Sequence, residues 1–277
     1  MIRLLGIPFD AASSFMQGAA QGPAAIREAM RSPSANTWTE GGLDLAAAAW
    51  DDAGDVVFPQ TEAATEGPGW AAGSLGEPHR DAITERVARE VEAGNRLLTL
   101  GGDHSITYPI MRAYASAWPG LTILHLDAHA DLYDEFEGDR FSHACPFARI
   151  MEGGLAARLV QVGVRTMTGH QADQRDRFGV ETQELKDGQP AWPAVEGPVY
   201  VSLDLDVLDP AFAPGVSHHE PGGLSTRQVL DLLHAVPGTL VGADLVELNP
   251  RRDVGGISAM AAARLAKELL GRLLADA

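Results

Sequence analysis

Residues 122–131 read TILHLDAHAD, and this stretch decides the fold. An apolar run without polar alternation suits a strand covered on both faces, as in a parallel sheet packed between helices. The strand is expected over Leu121–Asp127. It runs into three metal-competent residues at every second position, Asp127, His129 and Asp131. Successive side chains of a strand point to opposite faces, so the spacing predicts that these three converge. His125 is read as a core histidine on the face opposite His129.

Five more runs have the same character: Ile2–Ile7, Arg96–Leu100, Leu159–Val164, Val199–Asp204 and Leu240–Leu245. Helical patterns lie between them. Ala24–Met30 begins after Pro23, which suits a first helical turn. His79–Ala93 carries an apolar stripe at Ile83, Val87 and Val91 and stops at Gly94. Thr226–Ala235 follows Ser225 as N-cap, and Ile257–Leu274 is long and rich in Ala and Leu. Strands alternating with helices predict an α/β fold with a mainly parallel sheet and right-handed crossovers. No linker or internal repeat divides the chain, so one domain over residues 1–277 is expected, with surface loops at Gly67–Pro78 and Ser32–Gly42.

In such sheets ligands bind at the carboxyl ends of the strands. Three motifs fall there: GGDHS (Gly101–Ser105), DAHAD (Asp127–Asp131) and SLDLD (Ser202–Asp206), with Glu247 after the Leu240 run. They offer six metal ligands: His104, Asp127, His129, Asp131, Asp204 and Asp206. Burying four carboxylates together is very unfavourable unless cations compensate them. Oxygen-rich ligands with one imidazole per ion favour Mn²⁺, with Co²⁺, Ni²⁺ or Fe²⁺ feasible, over zinc, which prefers more nitrogen or sulfur. Two such ions about 3.5–4 Å apart activate a shared water, so the pattern predicts a hydrolase. Asp209, before Pro210, reads as a turn initiator, and Cys145, beside Pro146 and Phe147, reads as packing rather than as a nucleophile.

Composition narrows the rest. The chain has 277 residues, 45% hydrophobic, enough for one large core. The formal net charge of -17 argues against nucleic acid and anionic membrane surfaces as partners. No run approaches the ~20 apolar residues of a membrane span. MIRLLGIPFD lacks a signal-peptide pattern, and a single cysteine precludes an internal disulfide; together these lead us to expect a cytoplasmic protein.

Taken in order, GGDHS, DAHAD and SLDLDVLDPAFAPG resemble the ureohydrolases: arginase, agmatinase and their relatives. The likeness runs from GIPFDAASSFMQGAAQGPAAIRE to DLVELNPRRD. Within it, FEGDRFSHACPFARIMEGG, APGVSHHEPGGLS and GADLVELNPRRD are most similar to plant-type arginases. The resemblance implies a three-layer α/β/α sandwich and two Mn²⁺ per subunit, divided among His104, Asp127, Asp131, Asp204, Asp206 and His129. It implies His143 as a proton-shuttling histidine, Glu247 as the carboxylate that holds a guanidinium, and Asp131 as acceptor of a proton from water. It also implies a small cationic guanidino substrate, release of urea and a primary amine, and a homo-oligomer, trimer or hexamer. Arginine is favoured by the plant-type segments, with agmatine or another guanidino compound as the alternative. Two departures bear on that choice. Gly215–Glu220 replaces a Thr-Gly-Thr-Pro pattern, and Leu132–Ser142 lacks the Asn and Ser arrangement of animal-type arginases. In that loop Arg140 or Ser142 offers donors to a carboxylate, whereas Asp134, Glu135, Glu137 and Asp139 suit an amine.

Overall fold

A computed structural model describes residues 1–59 and 76–277. Its centre is one eight-stranded sheet in the order β2-β1-β3-β8-β7-β4-β5-β6. The strands are β1 (Ile2–Ile7), β2 (Trp50–Asp55), β3 (Arg96–Gly101), β4 (Thr122–Leu126), β5 (Arg158–Val162), β6 (Glu181–Gln183), β7 (Pro198–Asp204) and β8 (Thr239–Val246). Every pairing is parallel. The chain builds one wing (β1, β2, β3), jumps to lay down the other (β4, β5, β6), and returns to fill the gap with β7 and β8. The four central strands therefore come from both halves of the chain, and their carboxyl ends form one crevice.

The six expected strands are all present. The two added ones lie at the edges, where burial is slight and the apolar signal weak. Trp50–Asp55 (WDDAGD) is mostly exposed. It is held by pairing to β1 and by Arg27, which donates to Asp52 Oδ2 at 2.9 Å and to Asp55 Oδ1 at 2.5 Å.

Helices cover both faces, giving three layers. On one side α1 (Gly22–Met30), α6 (Thr226–His234) and α7 (Ile257–Ala275) enclose a core that includes Leu98, Leu126, Leu203 and Leu269. On the other, α2 (Glu77–Glu92), α3 (Thr107–Ala117) and α4 (Pro146–Glu152) pack Ile83, Val87, Ile110 and Phe147 against Leu97 and Ile123. Burial of each such side chain stabilises the fold by roughly 1.5–3 kcal/mol. The Ile83, Val87, Val91 stripe is buried as its spacing predicts. Ser225 caps α6 through a reciprocal box with Gln228. Thr168 and Gln171 do the same for α5 (Gly169–Phe178). The pattern gave no sign of α3, α4 or α5; α3 and α4 bury several sides, and α5 is mostly polar. Ser32–Gly42 is a loop of turns, as expected. The loop expected over Gly67–Pro78 lies outside the described residues as far as 75, and Glu77 and Pro78 open α2.

Candidate functional site

The three motifs converge, though by a different device from the one the spacing suggests. β4 ends at Leu126, so Asp127, His129 and Asp131 lie in the loop beyond it. Asp204 closes β7 and Asp206 sits in a single 3₁₀ turn. Asp127 Oδ1 accepts from the His129 amide at 2.6 Å, and Asp204 Oδ1 accepts from the Asp206 amide at 2.8 Å. Each is an Asx turn: one carboxylate oxygen fastens the loop and the other faces His104. Asp206 Oδ1 accepts from the Ala128 amide at 3.1 Å and so ties the two loops together.

The carboxylates meet two imidazoles. His104 Nδ1 lies 3.1 Å from Asp127 Oδ2, 3.3 Å from Asp131 Oδ2 and 3.1 Å from Asp204 Oδ2. His129 Nδ1 lies 3.0 Å from Asp206 Oδ2 and 3.5 Å from Asp127 Oδ1. His104 is fully buried, and the four aspartates are buried as well. Although three carboxylates surround it, His104 Nδ1 makes no hydrogen bond of acceptable geometry. A buried nitrogen ringed by carboxylate oxygens is what a cation-binding group looks like from the protein side.

The electrostatics agree. Burial, together with the charges of Asp206 and Asp127, holds Asp204 well above the ordinary carboxylate range. Burial and Asp127 raise Asp206 too. Burial opposes charge on His129, but Asp206 and Asp127 push it up to about 12. Asp127 is held well below its usual value: burial resists ionisation, and contacts with His125, His104 and His129 overcome it. Negative charge is in excess here, and divalent cations would compensate it. The donor set of carboxylates and imidazoles, with no thiolate, fits such ions. Asp127, His129 and Asp206 form one candidate cluster, and His104 with Asp127 lies in another.

His125 belongs to this region, which corrects its placement opposite His129. Both histidines approach Asp127. Gln161 Nε2 donates to His125 Nδ1 at 3.0 Å, so His125 Nε2 carries the proton given to Asp127 Oδ2 at 2.8 Å. It is a satisfied buried histidine that orients Asp127.

Opposite the cluster, a cavity of about 300 Å³ is lined by Asp131, Asp204, Asp206, His129, His143 and Glu247, and toward the rim by Tyr133, Phe136 and Met167. His143 Nδ1 stands 3.3 Å from Glu247 Oε1, and its Nε2 is 2.9 Å from Ser14 Oγ. Burial opposes charge on His143, yet the hydrogen bond to Glu247 and the charges of Glu247, Asp131 and Asp103 raise it to about 9. Glu247 is lowered: burial resists ionisation, and His143 and the His104 amide prevail. Asp131 and Glu247 both adopt left-handed backbone (φ 49 and 66), a strain concentrated on two non-glycine residues of the cavity.

The second Gly of GGDHS has a steric reason. A Cβ on Gly102 would lie 1.8 Å from Phe9 O, so only glycine lets the 9–14 loop approach. Asp103 is no cluster residue. It accepts from Ala12 N and Ser13 Oγ and straps down the loop that brings Ser14 to His143. Asp209 is a turn former, accepting from Ala211, Gly222 and Gly223. Cys145 is buried, and burial pushes its thiol up to about 12, in keeping with packing. Ser14, Tyr133, Phe136, Thr166, Thr168, Gln171 and His218 also line the cavity, and the sequence pattern did not single them out. For His218 there was a signal, the departure at Gly215–Glu220. Its ring lies 4.9 Å from that of His143.

The fold and site define a hydrolase that gathers acids and imidazoles at parallel strand tips in clusters able to hold metal. The chain belongs to the arginase family, whose model matches residues 1–271. It is 46% identical to arginase 1, mitochondrial, of Arabidopsis thaliana, over 98% of this chain and 80% of that one. It is 39% identical to an N(1)-aminopropylagmatine ureohydrolase of Thermus thermophilus, over 89% of this chain and 82% of that one. Among solved structures it superposes on arginase from Medicago truncatula with a TM-score of 0.86 and 42% identity, covering 98% and 87% of the two chains. The family and fold expectations hold. The cytoplasmic expectation does not: the Arabidopsis relative and others from rice are named mitochondrial. The single cysteine excludes an internal disulfide but does not fix a compartment. Among the described residues no helix is long and apolar enough to cross a membrane.

Proposed function

We propose that this chain is a binuclear manganese ureohydrolase that cleaves a guanidino C–N bond and releases urea, with L-arginine as substrate and L-ornithine as the other product. The observation that carries the reading is the pairing of two groups across one cavity. On one side His104 Nδ1 lies among three carboxylates; on the other, His143 faces Glu247. His104, Asp127, His129, Asp131, Asp204 and Asp206 would hold the two ions between them. Bound there, two divalent cations would lower the pKa of water toward ~7 and supply a nucleophile strong enough for a resonance-stabilised guanidinium.

The chain's own groups do the rest. Glu247, ionised and buried, holds the guanidinium by charge-assisted hydrogen bonds and sets its orientation. Asp131 accepts the proton that the attacking water loses. His143, charged at neutral pH by its carboxylate neighbours, delivers a proton from Nε2 to the departing nitrogen. Ser14 holds that Nε2 atom until substrate arrives. The cavity walls exclude bulk water and keep these interactions strong.

Arginine is supported by the likeness to plant arginases. One observation favours a second reading, a guanidino amine such as agmatine, yielding putrescine. Arg140 is engaged by Asp134 and Glu152, and Arg149 by Asp134. Ser142 is buried, its Oγ near the Ala144 amide. No Lys or Arg lines the described cavity to receive an α-carboxylate. Urea release from L-arginine and from agmatine, with and without Mn²⁺, tests both. Urea from neither would defeat the proposal; urea from agmatine alone would replace arginine by the amine. We carry over from the family resemblance a single catalytic domain assembled as a trimer or hexamer, which light scattering would test.

A further inference from the structure

Behind His104, on the side away from the carboxylates, runs a closed chain of hydrogen bonds. His104 Nε2 lies 2.9 Å from Ser202 Oγ, and Ser202 Oγ donates to Asp244 Oδ1 at 2.7 Å. Thr107 Oγ1 and Tyr200 OH each donate to Asp244 Oδ2 at 3.0 Å. All five residues are buried. Ser202 comes from β7, Asp244 from β8 and Thr107 from the first turn of α3, so three elements of the central fold meet here.

The direction of each bond follows from counting protons. A hydroxyl has one to give. The protons of Ser202, Thr107 and Tyr200 are all directed at Asp244, which acts as an acceptor on both oxygens. Ser202 Oγ therefore turns a lone pair toward His104, and the only group that can satisfy it is an Nε2–H. That leaves Nδ1 as the nitrogen directed at Asp127, Asp131 and Asp204. A neutral imidazole has one proton, so fixing it on Nε2 makes Nδ1 the free lone pair.

We propose that Ser202 and Asp244 are positioning residues for the metal centre, holding the proton of His104 on Nε2 so that Nδ1 serves as ligand. This rests on the reading that His104 binds a cation. Partners of this kind orient a ligand ring and raise its basicity. They also explain a sequence feature that the ligand count leaves unused. In SLDLD the serine shares a strand face with Asp204, and Asp244 lies inside an otherwise apolar strand, both buried with no role in the cluster itself.

The test has two arms. In the first, ¹⁵N-histidine spectra are recorded for the zinc-loaded and the metal-free protein, with His104 assigned by the signals lost in His104→Gln. The proposal expects a protonated Nε2 in both states, and a bare Nε2 in either overturns it. In the second, manganese affinity is measured by metal content after graded dialysis for the wild type, Ser202→Ala and Asp244→Asn. Ser202→Ala should bind manganese about 10–100-fold more weakly. Saturating manganese should restore its kcat, with KM for the guanidino substrate unchanged. Wild-type affinity in Ser202→Ala would overturn the proposal, as would a kcat deficit that manganese cannot relieve. If Ser202→Ala does not fold, the wild-type spectra still decide. A wild type that binds neither manganese nor zinc would defeat the metal reading itself, a result distinct from a bare Nε2.

Discussion

The cavity has a floor and a rim, and they are built differently. The floor is made of aspartates and histidines at the tips of β3, β4 and β7, all buried but His129, and held by Asx turns and by buried partners such as Gln161 and Ser202. The rim is made of Tyr133, Phe136, Met167, Thr168 and Gln171 on connecting loops and a helix start, carrying no formal charge. A floor anchored to central strands can keep ligand atoms in register; a rim on loops can vary without disturbing it. On the proposed reading, the floor would carry the reaction and the rim would select among guanidino compounds.

That contrast can be broken by experiment. The largest effect belongs to the floor: Asp127→Ala removes the one carboxylate that both His104 and His129 approach, so urea release should fall to background and metal content should fall with it. Metal retained at wild-type level would remove Asp127 from the cluster. His143→Ala comes next. It should lower kcat by about 10²–10⁴-fold, typical of a lost proton-transfer group, while metal content stays normal. Little change in kcat would remove His143 from proton transfer. The rim follows with Tyr133→Ala. Loss of an aromatic face beside a cationic substrate should raise KM about tenfold or less and alter the ratio of arginine to agmatine turnover. Loss of metal in this variant would erase the distinction between floor and rim.

The smallest effect lies outside the cavity. Glu90 is buried; burial resists its charge, but hydrogen bonds from Arg3, Arg86 and Asn95 hold it below 4.5. A carboxylate depressed in the folded state contributes stability that is present above its unfolded value and lost as pH falls through the folded one. Glu90→Gln should therefore unfold more readily than wild type at neutral pH, and the difference should shrink as pH falls below the ordinary carboxylate range. A constant difference across that range would show that charge is not the cause.

Much of the floor was legible because its chemistry is conspicuous. Asp204 and Asp206 interrupt an apolar strand, and nothing in packing calls for them. Their geometry was less legible: strand parity predicts convergence for Asp127, His129 and Asp131, but the chain leaves the strand at Leu126 and achieves it through backbone amides. The same parity, applied consistently, places His125 beside the cluster. The rim was not legible, because Tyr133 or Met167 in a loop carries no periodicity. The edge strand at Trp50–Asp55 stayed hidden for a related reason: its residues are polar, and Arg27, far off in sequence, holds them.

The most direct measurement is the number of manganese ions per chain, determined by elemental analysis on protein equilibrated with a small excess of the metal. The account predicts two for the wild type, and markedly fewer when Asp204 is changed to Asn. Zero in the wild type, or two in both proteins, would contradict it.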